Sequence, residues 1–435
     1  MATVLSPAER AHNFAGTNCR VALVGFGTVG RSVARLLQTR PQSPLQLTHI
    51  CNRGIARKKA NWVEPAVEWT ESLDDVLASD VDVVVELIGG LDVARPLVER
   101  ALEAGKSVVT ANKQLMAHCG PQLLKLARDH RQHLGYGACV AGGIPVLSAL
   151  HDGLAGDRLV RIRGILNGTC NYILTRMEQG NASFSDALAE AQGAGFAEAD
   201  PTEDVDGIDA AAKLAILASV AFGMDVSPTQ VPSRTIRRIS AVDFAYAQEL
   251  GCTIRQISAA ELRGDSMYLS VGPVLVPNHS QLAKVSGSQN LVITTGKFGG
   301  DTSFGGYGAG GDPTAVAVVS DLLQAARHRR SGTVASELLL SAACEVTDDV
   351  RLRHYVRFVV RDRPGILAAM AGALARQQIN VDAVLQRPEH PKSALPFVIT
   401  LEPCLQQNLQ AAIAEIARCD FLLEPPLTMP IMREE

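Results

Sequence analysis

The sequence predicts an α/β chain: a parallel sheet wound on both faces, then an α+β region, then a smaller C-terminal α+β unit. Three observations predict it. An apolar run from Val21 stops at Gly25, Gly27 and Gly30 and then becomes helix-periodic. Short apolar stretches recur at 45–51, 81–87 and 107–110, separated by segments long enough for crossover helices. The chain has 435 residues, 47% of them hydrophobic, which is more than one core usually organises, so two or three domains are expected.

The first element reads Val-Ala-Leu-Val-Gly-Phe-Gly-Thr-Val-Gly from Val21 to Gly30, a strand, tight turn and helix start of the dinucleotide-binding, Rossmann type. Gly25 serves the tight turn, Gly27 lets the backbone approach a pyrophosphate, and Gly30 lets helix pack on strand. The amides of Thr28, Val29 and Gly30 open the helix that would receive the phosphate. In such sheets ligands sit at the carboxyl ends of the strands, which directs attention to Asn52 and Arg53, to Glu86 through Gly90, and to Ala111 through Lys113. A carboxylate about 20 residues beyond the glycines would hold the adenosine ribose of NAD. Here the second strand ends in Asn52-Arg53, with Arg57, Lys58 and Lys59 behind, so NADP is expected over NAD, with Arg53 as the 2′-phosphate contact. The other reading of these cations is a solvated loop.

The fourth strand ends in Thr110-Ala111-Asn112-Lys113, which puts a lysine where the nicotinamide end of the cofactor should lie; a phosphate clamp or a plain surface cation would also explain it. Residues 193–213 form a carboxylate-rich loop running into an Ala-rich helix that carries Asp209 and Lys213. Their i,i+4 spacing places both on one helix face. An exposed pair of this kind contributes only about 0.3–0.5 kcal/mol, but the helix continues Leu-Ala-Ile-Leu-Ala-Ser-Val-Ala-Phe, so most of it should be buried and Lys213 should face a cleft.

Composition excludes several classes. A formal charge of −4 without a basic run argues against a nucleic-acid surface. No window approaches about 18 uninterrupted apolar residues, and the polar first 18 residues lack a signal-peptide core, so no membrane association and a cytoplasmic location are expected. Nine cysteines without a CxxC and ten histidines without ligand spacing read as reduced core thiols and no transition-metal site. No internal repeat or low-complexity tract is present.

Six ordered segments carry a resemblance. They are Val-Val-Val-Glu-Leu-Ile-Gly-Gly at 83–90, Thr-Ala-Asn-Lys at 110–113, Ala-Gly-Gly-Ile-Pro at 141–145, Gly-Ile-Leu-Asn-Gly-Thr-Cys-Asn-Tyr-Ile at 164–173, the acidic loop and helix at 193–213, and Gly-Tyr-Gly-Ala-Gly-Gly-Asp-Pro-Thr-Ala at 306–315. Together they resemble homoserine dehydrogenase. The resemblance implies NAD(P)-dependent, reversible interconversion of L-homoserine and L-aspartate 4-semialdehyde, a step towards threonine and methionine. By motif position Lys113 and Lys213 match the catalytic lysines, with Lys213 at the reacting oxygen and Lys113 as acid/base. Glu198, Asp204 and Asp209 match acidic positions that hold the substrate ammonium or orient the lysines. Gly168 and Thr169 match the segment receiving its carboxylate, where a simple capped turn is the alternative. Thr110 and Gly310 match cofactor-lining positions. Family members commonly carry a cation-binding glutamate where this chain has Gly137 in Tyr136-Gly137-Ala138. The carbonyls of Val140, Gly142 and Ile144 remain, so the expected sodium or potassium site is weakened.

The expected organisation is an N-terminal extension at 1–18, a Rossmann-type domain at 19–150 completed by 306–326, a catalytic and dimerisation domain at 151–305, a linker at 327–352 and a C-terminal domain at 353–435. In the 306–326 stretch a helix is expected from Pro313 through Ala325, followed by a cationic break at 328–332. The homodimer is implied by the resemblance alone. In the last domain, Tyr355–Val360 alternates as a strand and Asp362-Arg363-Pro364-Gly365 opens a helix; strands at 379–385 and 396–400 and a helix at 405–417 follow. This pattern resembles an ACT regulatory domain of ferredoxin-like βαββαβ fold, which implies an amino-acid effector, threonine being the natural one, near Gly365 and Asn380; a purely dimerising role is the alternative. Two other functions compete. An aspartate-semialdehyde dehydrogenase or other Rossmann reductase would be a second enzyme, the former needing an activated cysteine. A catalytically inactive amino-acid sensor is the third, and the joint presence of Lys113, Glu198, Asp209 and Lys213 argues against it.

Overall fold

The computed structural model describes residues 18–40, 43–180, 182–331, 341–343 and 345–433. The N-terminal extension other than Asn18, the linker residues 332–340, and Cys344 lie outside the described residues. The chain divides into two compact units, Met1–Asp157 with Ala215–Pro228 and Phe304–Ala343, and Arg158–Leu214 with Thr229–Ser303 and Cys344–Glu435.

In the first unit, strands β1 (Cys19–Val24), β2 (Leu45–Cys51), β3 (Glu68–Thr70), β4 (Val83–Glu86), β5 (Ser107–Thr110) and β6 (Leu134–Gly135) form a parallel sheet in the order β3-β2-β1-β4-β5-β6. This is the doubly wound order, whose direction of winding reverses between β1 and β4. Residues 21–24 of β1 and 83–85 of β4, the strands on either side of that reversal, are apolar and buried, as a parallel sheet covered on both faces requires. In the Thr28–Gln38 helix the buried residues Gly30, Val33, Ala34 and Leu37 recur at helical spacing, and they share a core with Ala315, Val318, Val319, Leu322, Ala325 and Ala326.

Those last residues belong to a helix spanning Gly311–Ser331, longer than the expected Pro313–Ala325. The cations at 328–330 therefore close a helix rather than break the chain. Positive charge in a last turn opposes the negative end of the helix dipole, and Arg329 also pairs with Asp82 at 2.5 Å. Asp321 of this helix is only 7% exposed; its Oδ2 accepts the Gly137 N–H at 2.7 Å. A Cβ on Gly135 would stand 2.7 Å from the Asp321 Cβ, so the close approach requires glycine there.

The sheet of the second unit includes, in order, Gln289–Gly296, Leu159–Ile165, Cys252–Arg263, Ser266–Pro277, Leu427–Ile431, Arg351–Val360, Leu395–Leu405 and Val381–Gln386. The last four strands have the ferredoxin-like order, with helices Ile366–Arg376 and Gln406–Ile416. Successive strand residues face opposite sides. Val356, Phe358 and Val360 accordingly join a core with the two helices, while Tyr355 joins Phe244, Tyr246, Ile254 and Leu275 in another. Asp243, with no exposure, accepts Arg357 Nη1 at 2.7 Å and the Tyr355 hydroxyl at 2.8 Å, fastening strand Arg351–Val360 to helix Ala241–Glu249. Among the described residues no helix is long and apolar enough to cross a membrane.

Burial pushes the Asp321 carboxyl up to about 7, against the opposing hydrogen bond from Gly137. Between pH about 4 and 7 the folded chain then holds a proton the unfolded chain lacks, so this group's contribution to stability falls as pH rises through that window. Asp321→Asn, which can still accept the Gly137 N–H, should match the wild type near pH 4. At pH 8 it should be more stable, on the order of 3–4 kcal/mol. Urea denaturation across this range checks it, and parallel pH curves would contradict it.

Candidate active site

The glycine turn is built as its sequence requires. Gly25 has φ +110° and a Cβ there would lie 2.6 Å from the Leu87 carbonyl oxygen; a Cβ on Gly30 would lie 2.3 Å from the Gly25 oxygen. A Cβ on Gly27 would meet nothing within 4 Å. Gly27 is the N-cap of the Thr28–Gln38 helix and supplies no side-chain cap, so among the described residues the first-turn amides at Thr28 and Val29 are left for an external acceptor. Open space, orphan amides and a helix of three turns fit a dinucleotide pyrophosphate. Gly310 has φ +118°, but the closer approach is at Gly311, where a Cβ would be 2.9 Å from Ser32 Oγ and Thr28 Cγ2; the sequence reading passed over Gly311.

At the end of β2, Asn52 Oδ1 accepts the Phe26 N–H at 3.0 Å and ties the glycine turn to this strand. Arg53 is exposed beside it. The expectation that no carboxylate stands here needs correction, since Glu71 Oε1 accepts the N–H groups of Gly54 and Ile55 at 3.0 and 2.9 Å. It arrives from the end of β3, too far along the chain for the usual spacing rule to find.

Across the switch point, Glu86 is fully buried at the end of β4. Its Oε1 accepts the N–H groups of Ile88 and Gly89 at 2.8 and 3.0 Å, and its Oε2 accepts the Thr110 hydroxyl at 2.6 Å. Thr110 Oγ1 in turn accepts the Asn112 N–H, Asn112 Nδ2 donates to the Gly90 carbonyl, and Asn112 Oδ1 caps the Lys113–Asp129 helix through Leu115 N. One carboxylate thus fixes both loops and the half-buried Lys113 that begins the helix. Thr110 therefore serves the frame, its hydroxyl donating to Glu86.

In the second unit Lys213 and Asp209 are no surface pair, their side chains being 13% and 7% exposed. Lys213 Nζ donates to Asp209 Oδ2 at 2.7 Å and to the Leu166 carbonyl at 3.0 Å. An ammonium has three N–H bonds, and among the described residues of this unit the third is uncommitted. Asn167 Nδ2 donates to both Asp204 Oδ1 at 2.6 Å and Asp209 Oδ2 at 2.9 Å. Burial first, then the neighbouring Asp209, raise the Asp204 carboxyl above its ordinary value against the Asn167 bond, which lowers it. Sequence reasoning missed Asn167; the available signal was a capping-type residue directly before a helix, and Asn167 Oδ1 does accept the Cys170 N–H at 2.8 Å.

The remaining expected positions are arranged less directly. Gly168 begins the Gly168–Gly180 helix, and a Cβ there would be 2.6 Å from the Ser288 oxygen. The Thr169 hydroxyl donates to the Phe196 carbonyl at 2.7 Å, so its proton is not directed at a ligand. Glu198 is exposed, with its carbonyl accepting Gln192 Nε2. In the suspected cation segment, Ala141 and Gly142 have φ of 57° and 47°, and the Ile144 carbonyl already accepts the Val146 N–H at 2.8 Å. A Cβ on Gly137 would be 2.9 Å from Asp321 Oδ1. In the C-terminal domain Gly365, at φ +92°, caps helix Ile366–Arg376, and Asn380 Nδ2 donates to Glu402 Oε2 at 3.0 Å. Burial pushes the thiols of Cys139 and Cys170 well above their ordinary range, the reverse of an activated nucleophile.

Comparison with known proteins places these features in a family. Residues 25–136 match the model of the homoserine dehydrogenase NAD-binding domain, 145–323 that of homoserine dehydrogenase, and 354–421 that of the ACT domain. The homoserine dehydrogenase of Neisseria gonorrhoeae is 34% identical over 94% of this chain and 97% of its own length. A crystal structure of a homoserine dehydrogenase from Thiobacillus denitrificans superposes with TM-score 0.88 at 35% identity, covering 95% of this chain and 98% of that one. A hyperthermophilic archaeal homoserine dehydrogenase in complex with NADPH has TM-score 0.60 at 26% identity, covering 71% and 98%. With its Rossmann-type nicotinamide-binding sheet, its buried Lys213–Asp209 pair and its ACT domain, the chain belongs to the homoserine dehydrogenase family of oxidoreductases.

Proposed function

We propose that this chain is an NADP(H)-preferring homoserine dehydrogenase that interconverts L-homoserine and L-aspartate 4-semialdehyde in threonine and methionine biosynthesis. It acts in the cytoplasm as a homodimer whose C-terminal domain responds to threonine. The observation carrying the reading is the partly buried chain from Asp204 through Asn167 and Asp209 to Lys213, which leaves one ammonium N–H for a ligand oxygen.

When bound, the nicotinamide supplies or accepts the hydride. The work left to the protein is to bind and orient the substrate and to manage charge and a proton on its oxygen. In the reducing direction the aldehyde oxygen gains the carbonyl electron pair and one proton. Lys213 stabilises the growing negative charge with its free N–H, a preorganised donor in a buried setting. Lys113 is assigned as the group that gives that proton, or takes it in reverse. Asp204, Asp209 and Glu198 hold the substrate ammonium or orient the lysines, and the amides of Gly168 and Thr169 receive its carboxylate. Arg53 is assigned to the cofactor's 2′-phosphate. Glu71 does not oppose this strongly, because its Oε1 is engaged by the Gly54 and Ile55 amides. The carbonyls of Val140, Gly142 and Ile144 are left as a weak monovalent-cation site that no step uses. Gly365 and Asn380 are assigned to the effector.

The test follows absorbance at the nicotinamide band with L-aspartate 4-semialdehyde and NADPH or NADH, with and without L-threonine. Oxidation faster with NADPH and slowed by threonine is expected; equal rates, or indifference to threonine, would remove those two assignments separately. Arg53→Ala should raise KM for NADPH several-fold more than KM for NADH. Lys213→Ala should lower turnover by at least about a hundredfold, the scale of losing one oxyanion donor, with NADPH affinity within twofold. Unchanged turnover would sink the role given to Lys213.

A further inference from the structure

Both N–H bonds of the Asn167 amide go to carboxylates, Asp204 Oδ1 and Asp209 Oδ2, and its oxygen caps the following helix at Cys170 N. Asp209 Oδ2 is shared, accepting Asn167 Nδ2 and Lys213 Nζ together. We propose that Asn167 is a positioning residue for the reaction, its amide clamping Asp204 and Asp209 side by side and thereby setting the direction of the Lys213 ammonium. The inference rests on the role assigned above to Lys213.

The physical case begins with repulsion. Two carboxylates brought together in a partly desolvated place oppose each other's charge, and a neutral amide can bridge them without adding charge of its own. Lysine's flexible stem does not fix its ammonium; here Nζ is held by the Leu166 carbonyl and by Asp209, and the Leu166 carbonyl is itself held by Asn290 Nδ2 at 3.0 Å. Removing the Asn167 donor takes away one of the bonds that orient Asp209 Oδ2, and with it one restraint on the direction of the Lys213 ammonium. The substrate would still bind to the cofactor-loaded protein, in a less productive pose.

The cap and the clamp can be separated. Asn167→Ser and Asn167→Asp both keep a favoured helix cap, but neither can donate to both carboxylates at once. Purified full-length variants would be compared for kcat and KM with L-aspartate 4-semialdehyde, for NADPH Kd by nicotinamide fluorescence, for thermal midpoint, and for the pH profile of kcat. For Asn167→Ser we expect kcat to fall at least about tenfold, with NADPH Kd within twofold and a thermal midpoint close to that of the wild type. Asn167→Asp adds a third carboxylate and should move the acidic limb of kcat upward by about one pH unit, since like charges favour protonation. A residue that only caps its helix would leave Asn167→Ser with wild-type kcat and KM, whatever the added charge of Asn167→Asp does to the pH profile, and that result overturns the inference. Should Asn167→Ser fail to fold, Asn167→Thr, which keeps a favoured cap and cannot bridge both carboxylates, is compared for kcat in its place. Lys213→Ala serves as the control: if it turns over normally, the reading of Lys213 fails; if it is impaired while Asn167→Ser is normal, only the present inference fails.

Discussion

A carboxylate withdrawn from water must be met by donors from the chain itself, and this requirement organises both units. Glu86, Asp209, Asp243 and Asp321 are each below a tenth exposed. They are met in four different ways. Glu86 takes two amides and a hydroxyl. Asp243 takes the Arg357 guanidinium and the Tyr355 phenol, a geometry in which losing one partner would strand a buried charge at a cost of about 3–5 kcal/mol. Asp209 shares an amide and an ammonium. Asp321 takes the Gly137 amide, and burial, against that hydrogen bond, pushes its carboxyl up to about 7. The donors distinguish a carboxylate met by amides and a hydroxyl from those met by a cation.

The glycines show how far local chemistry carries. At Gly25, Gly27 and Gly30 the structure shows, in turn, a left-handed φ, open space, and a Cβ position 2.3 Å from the Gly25 oxygen. The i,i+4 spacing of Asp209 and Lys213 gave their contact for the same reason, because helical neighbours are fixed by the period. What was not legible lay across long separations. Glu71 meets residues 16 and 17 positions away, and Asn167 meets carboxylates 37 and 42 positions away. A single sequence carries no periodic signal for such pairs. The Gly311–Ser331 helix was cut short for another reason: a run of cations reads as a boundary, although a helix C-terminus welcomes positive charge.

The C-terminal domain makes a further physical point. Strand Arg351–Val360 contributes alternate residues to two cores, Val356, Phe358 and Val360 to one, Tyr355 to the other. Strand Leu427–Ile431 pairs with it and also, at Ile431, with Leu275 of the long Ser266–Pro277 strand. Close-packed cores transmit small displacements because they have few voids to absorb them. A domain attached in this way is part of the second unit's architecture rather than an appendage on a linker.

The account depends most on the ammonium of Lys213 acting at the reacting oxygen while Asp209 and Leu166 aim it. Chemical rescue tests that directly. Lys213→Ala would be assayed for NADPH oxidation with L-aspartate 4-semialdehyde while small primary amines are added at fixed pH and ionic strength. The account predicts that turnover rises with amine concentration, and that the same amines leave the wild type unaffected. Turnover of the variant that does not respond to amines of any size or basicity would contradict it.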